Sequence, residues 1–125
     1  MAKKQPFVPF DGSDPVKAKI RQRRAQMLIH SCLYYEMDES IVDDHTWQRW
    51  ANELATLQQE YPEFMKIGFY DKHFVDWDGT TGNHLPHRDP WVRTKADYIL
   101  ECYNAEQALK LYEREQNEKR AAKAN

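Results

Sequence analysis

Residues 33–54, LYYEMDESIVDDHTWQRWANEL, hold the pattern on which the fold turns. Tyr34 and Tyr35 continue a face that begins at Ile20 and passes through Met27, Leu28 and Ser31 at three- and four-residue helical steps. Residues 38–43 break that period as a short acidic turn. Trp47, Trp50, Leu54, Leu57 and Tyr61 then restart it, with Asp44 read as the N-cap of a second helix and Pro62 as its stop. Two amphipathic helices joined by so short a turn pack as an antiparallel hairpin with both stripes turned inward.

The flanks extend this scheme. Residues 1–13 read as an extended arm, broken by Pro6, Pro9 and Gly12 and carrying Phe7, Val8 and Phe10 as apolar anchors. Asp14 before Pro15 marks the start of the first helix, because the carboxylate accepts unpaired amides and proline needs no partner at the first helical position. Residues 64–89 have no clean period and mix aromatics, turn residues and histidines, the mark of an ordered excursion over the core. Asp89 and Pro90 repeat the capped start, and a third helix is predicted over residues 91–118. Its buried face should comprise Val92, Ala96, Ile99, Tyr103, Leu109 and Tyr112, with residues 119–125 fraying. The predicted fold class is mainly α: a hairpin over residues 14–63, an irregular aromatic-rich loop and a long third helix, forming one domain over residues 14–118.

Composition narrows the function. A 41% apolar share with 13% aromatic supports a packed globule, and a net charge of −2 gives no overall attraction to nucleic acid. The basic residues Lys17, Lys19, Arg21, Arg23 and Arg24 are read as a solvated face of the first helix. Cys32 and Cys102 are read as buried free thiols of a reducing cytosol. No apolar run is long enough for a signal peptide or a membrane span, so a cytoplasmic protein is the expectation.

Tyr34, Tyr35, Asp38, Asp44, Trp47, Gln48, Glu53, Leu54, Pro62 and Glu63 occupy the places of a pattern that resembles the N-terminal Ia subdomain of bacterial NAD-dependent DNA ligases. The resemblance runs over residues 20–63 and implies a helical hairpin that holds the nicotinamide mononucleotide half of the cofactor. It passes the ligand-contacting roles to Tyr34, Tyr35, Asp44, Trp47 and Gln48. Trp47 stands where the family has Tyr, and Gln48 where it has a second carboxylate; an amide can hydrogen-bond a carboxamide but does not attract a cationic pyridinium. Small stand-alone proteins of this kind occur among phage and mobile-element genes, which makes a phage-type origin, and hence a host cytoplasm, part of what the resemblance implies.

Ligase chemistry itself is not expected. Adenylate transfer uses a lysine nucleophile in a Lys-x-Asp-Gly motif. The Asp-Gly pairs here, Asp11-Gly12 and Asp78-Gly79, have Pro9 and Asp76 in the lysine position, and 125 residues leave no room for the other ligase domains. His30, Ser31 and Cys32 are neighbours on a helix and point in different directions, so they form no nucleophile-base pair. His73, His84 and His87, with Asp76 and Asp78, lack the second ligand pair that a zinc site needs, and Asp76-x-Asp78-Gly79 lacks the later ligands of a calcium loop. The expectation is a non-catalytic protein with no metal and no obligatory cofactor, which uses the hairpin to engage a protein of host nucleic-acid metabolism or defence. The alternative is a binder of NAD or nicotinamide mononucleotide without ligase activity.

Overall fold

The computed structural model describes residues 14–124, in three α-helices and two single 3₁₀ turns. The arm over residues 1–13, with Phe7, Val8 and Phe10, lies outside the described residues. Helix α1 spans Pro15–Met37 and starts as predicted, with Asp14 Oδ1 accepting from the amides of Val16 (2.9 Å) and Lys17 (3.2 Å). It ends where Asp38 enters the left-handed region (φ 54°), which lets the Glu39 amide reach back to the Leu33 carbonyl at 2.9 Å.

Helix α2 spans Asp44–Glu60, and its cap is Asp43 rather than Asp44. Asp43 keeps an extended backbone (φ −79°, ψ 167°), so its carboxylate accepts from the Thr46 amide at 2.7 Å, while Asp44 is already the first helical residue. Arg24 pairs with Gln58 near the end of α2 and His30 with Trp50 nearer its start, so positions rise along α1 as they fall along α2. The hairpin is antiparallel.

Helix α3 spans Pro90–Ala124, and Asp89 caps it by accepting from the Trp91 amide. Its first turns bury Val92 and Ala96 in the core, and α3 packs against α1. The rest of the predicted buried face does not go under. Ile99 and Tyr103 are half-covered, Leu109 and Tyr112 are 56% and 58% exposed, and Cys102 is exposed rather than buried. The helix also continues through Ala124 instead of fraying near Glu118, over a stretch of Glu, Arg, Gln, Lys and Ala that has no Gly or Pro to stop it. Among the described residues no helix is long and apolar enough to cross a membrane.

The loop between α2 and α3 supplies as much of the core as a helix would. Phe69, Phe74, Trp77 and Leu85 all bury against Ile20, Met27, Leu28, Leu33, Ala51 and Leu54. Backbone atoms in such a loop need partners, and Arg24 provides several of them. Its side chain is fully buried, contrary to the solvated basic face read from the sequence. It donates to Gln58 Oε1 (2.8 Å), to the Phe69 carbonyl (2.8 Å), to the Met65 carbonyl (3.0 Å) and to Asp71 Oδ1 (2.7 Å). Gln58 then donates to the Phe74 carbonyl at 3.0 Å.

Asp71 closes the same network by accepting from the Ile67, Gly68 and Phe69 amides. Burial pushes its carboxyl up, but the Arg24 guanidinium and those amides outweigh it and hold the group below its ordinary 3.8. A depressed carboxyl contributes stability that is full above the unfolded value and is lost as pH falls through the folded one. Replacing Arg24 by Ala should cost about 3 kcal/mol in urea denaturation, because Asp71, Gln58 and two carbonyls lose a buried partner. Asp71→Asn should be less stable than the parent at neutral pH and should lose less further stability on acidification from about pH 4 to pH 2. An unchanged acid slope in that variant would remove Asp71 as its source.

Candidate functional site

A cleft of about 350 Å³ opens where α1 ends and α2 begins. Tyr34 and Tyr35 come from the last turns of α1, Asp44, Trp47 and Gln48 from the first turns of α2, and Glu39, Ser40 and Val42 from the turn between them. The five residues singled out in the sequence therefore border one concavity. Tyr34 and Tyr35 were expected on the buried face of α1, yet they are 56% and 46% exposed, because they line the open cleft while the neighbouring Leu33 takes the core side of the helix. Trp47 is half-buried and meets Trp77 edge-on at 6.3 Å.

Each aromatic is held by a neighbour. Tyr34 and Tyr35 meet edge to face at 4.8 Å, and Tyr35 stacks on His87 at 5.1 Å with the rings 15° apart. The His87 Nε2 pairs with the Gly82 carbonyl at 2.8 Å, which ties that stack to the far wall of the cleft. His84 lies beside Trp77 and His73 beside Tyr70, so the loop histidines serve ring packing and backbone pairing. Among the described residues no three His, Cys, Asp or Glu side chains gather as a metal site would need.

The far wall is Thr80, Thr81 and Gly82, which the sequence did not signal. Asp78-Gly79 announces a turn, but nothing local announces what the turn faces. Gly79 has a φ of 85°, and its α-carbon sits where a side chain would come within 3.2 Å of the Ala51 carbonyl, so α2 and the loop meet backbone to backbone. Gln48 locks this contact. Its amide nitrogen donates to the Gly79 carbonyl (2.8 Å) and to Asn52 Oδ1 (2.9 Å), using both of its hydrogens on acceptors that a carboxylate would repel.

The floor was also missed. Ser31 is 2% exposed, and its Oγ is a buried hydroxyl without a hydrogen-bond partner among the described residues. Such an atom ordinarily costs about 1–3 kcal/mol until something pairs with it. Gly82 approaches it so closely that an added Cβ would stand 2.2 Å from the Oγ. His30 lies alongside, 5.5 Å from the Trp50 ring, and burial lowers its pKa to about 4, so it borders the cleft as a neutral imidazole at pH 7.

The sequence that builds the near side of this cleft is similar to that of known proteins. Residues 13–67 match the family model described as DNA ligase-like, N-terminal NAD+-binding domain. The DNA ligase of Carboxydothermus hydrogenoformans is 36% identical over 52 residues, which cover 42% of this chain and 8% of that ligase. The chain thus spans less than a tenth of that relative. No solved structure matches. The matched residues contain α1, α2 and the near side of the cleft, whereas Thr80, Thr81, Gly82 and all of α3 lie beyond them.

Two substitutions test the wall. Gln48→Glu should destabilise by about 1–3 kcal/mol, because it sets a carboxylate against two acceptors, and should speed amide exchange at residues 78–82. Gly82→Ala should cost a similar amount, about 1–3 kcal/mol, by overpacking on Ser31. Wild-type stability in either variant would show that the wall does not rest on these contacts.

Proposed function

We propose that this chain is a non-catalytic binding module whose cleft takes the nicotinamide nucleotide portion of NAD. The observation that carries the reading is convergence: Tyr34, Tyr35, Asp44, Trp47 and Gln48 border one cleft. A volume of about 350 Å³ suits a nucleoside, within the usual range of ligand pockets. Tyr34 and Trp47 supply faces for the ring, and the Asp44 carboxylate is an acceptor for ribose hydroxyls. No bond of the nucleotide is made or broken in this role. The full sequence has no Lys-x-Asp-Gly motif, and no lysine borders the cleft among the described residues.

A second reading rests on a different observation. The distal half of α3 leaves Leu109, Leu111 and Tyr112 about half exposed or more on a helix that has left the core, a surface suited to a protein partner. In that reading the module, of phage type, engages and inhibits a protein of host nucleic-acid metabolism or defence. A pull-down from host lysate that recovers one dominant nucleic-acid enzyme, lost on changing Leu109 and Tyr112 together to Asp, supports it; equal recovery with the changed protein rejects this surface.

Titration with NAD and nicotinamide mononucleotide, followed by intrinsic tryptophan fluorescence, tests the first reading, because Trp47 borders the cleft. Saturable change below about 1 mM ligand is expected. Asp44→Ala should weaken it by roughly tenfold or more. Helicity should be unchanged, since the cap of α2 is Asp43. No saturation by either ligand rejects the cofactor reading.

A further inference from the structure

Helix α3 carries an apolar stripe that the fold does not use. Over residues 101–124 only Tyr103 and Gln116 are even partly covered, although helices in proteins draw most of their stability from a packed face. Tyr98, Cys102, Ala105, Leu109 and Tyr112 follow one another at steps of four, three, four and three residues. A mean spacing of about 3.5 residues is the period of a helix that winds against another helix, and here it continues through Gln116, Lys119 and Lys123. Tyr98, Leu109 and Tyr112 are each more than half exposed, and Cys102 is exposed as well.

The polar end of the stripe decides what can cover it. A second α3 laid parallel and in register would set Lys119 on Lys119 and Lys123 on Lys123, and would bring Glu101 beside Glu106 of the other copy. Laid antiparallel, one register pairs every position of the stripe. Leu109 meets Tyr112 twice at the centre, Ala105 meets Gln116, Cys102 meets Lys119 and Tyr98 meets Lys123. The lysine stems then run along apolar side chains, with the Lys123 ammonium at the Tyr98 ring and Glu101 on the flank that Lys119 and Lys123 occupy. This orientation answers the cationic end of one helix with the acidic, aromatic start of the other.

We propose that the distal stripe of α3 joins two copies of this chain as an antiparallel helix pair centred between Leu109 and Tyr112. The contact is isologous, each copy giving and receiving the same surface. At the body of the molecule the stripe runs into an open groove lined by Ile41, Ile99 and Tyr103, where the Ala121, Ala122 and Ala124 end of the second helix is slim enough to enter. Glu106 of one copy lies beside Glu113 of the other, which keeps the association weak, with an expected Kd of about 1–100 μM. Nothing in this pairing depends on what the cleft binds.

Sedimentation equilibrium of the full chain between about 5 and 200 μM should show a monomer–dimer equilibrium. Changing Leu109 and Tyr112 together to Asp should weaken it by at least about tenfold, with tryptophan fluorescence unaltered because both side chains lie outside the core. Orientation is read by disulfide trapping with diamide as the oxidant. Lys119→Cys should link position 119 of one copy to Cys102 of the other, whereas the parent chain should stay unlinked. A parent chain that is still monomeric at about 200 μM overturns the proposal and leaves the stripe to a host protein. A dimer that survives the double substitution overturns it too. So does a Lys119→Cys variant that fails to link, or a Cys102–Cys102 link in the parent chain, which marks parallel helices.

Discussion

Arg24 carries a positive charge into the centre of the molecule, and the architecture depends on how that charge is answered. Transferring a guanidinium out of water is expensive unless every donor is paired and a counter-charge lies close. Here one side chain meets α2 through Gln58, the loop backbone through Met65 and Phe69, and a carboxylate through Asp71. Those partners are 34 to 47 residues away in sequence, so one helix, its hairpin mate and an irregular loop are joined at one point. The loop has no ladder of its own, and the network gives its carbonyls the partners that a strand or helix would otherwise have supplied.

Fixing that loop is what gives the hairpin an enclosed cleft. Trp77 donates from its indole nitrogen to the Ala51 carbonyl at 3.0 Å, Gly79 packs on α2, and Gln48 holds the Gly79 carbonyl, which together bring Thr80, Thr81 and Gly82 across from Tyr34 and Trp47. Stability and binding geometry therefore share residues. Gln48, in the place of a carboxylate in the pattern the hairpin resembles, acts here as a donor between two structural pieces. The change alters the charge of the cleft and at the same time secures one of its walls.

The candidate site was half legible in the sequence. Tyr34, Tyr35, Asp44, Trp47 and Gln48 sit on two helices whose period and breaks are local, so their convergence followed once the hairpin was read. Ser31 was read as one position on the helical face, and nothing local marks it as a floor: its orphaned hydroxyl exists only because Gly82, 51 positions away, closes over it. The cap of α2 was misplaced by one residue, since Asp43 and Asp44 are equivalent in chemistry and only the backbone angles decide which is extended.

The sequence by itself determined that three helices form, that the first two make a hairpin, and that it contains no Lys-x-Asp-Gly motif, because period, turn residues and motif are properties of neighbouring residues. Tertiary structure decided which polar groups are buried and which apolar ones are not. Arg24 looked like part of a solvated stripe and became the core's central donor, while Leu109 and Tyr112 kept a helical period that stays exposed among the described residues. Periodicity records what a helix face is able to bury; whether it is buried depends on a partner arriving from elsewhere in the chain, and that is settled only when the whole surface closes.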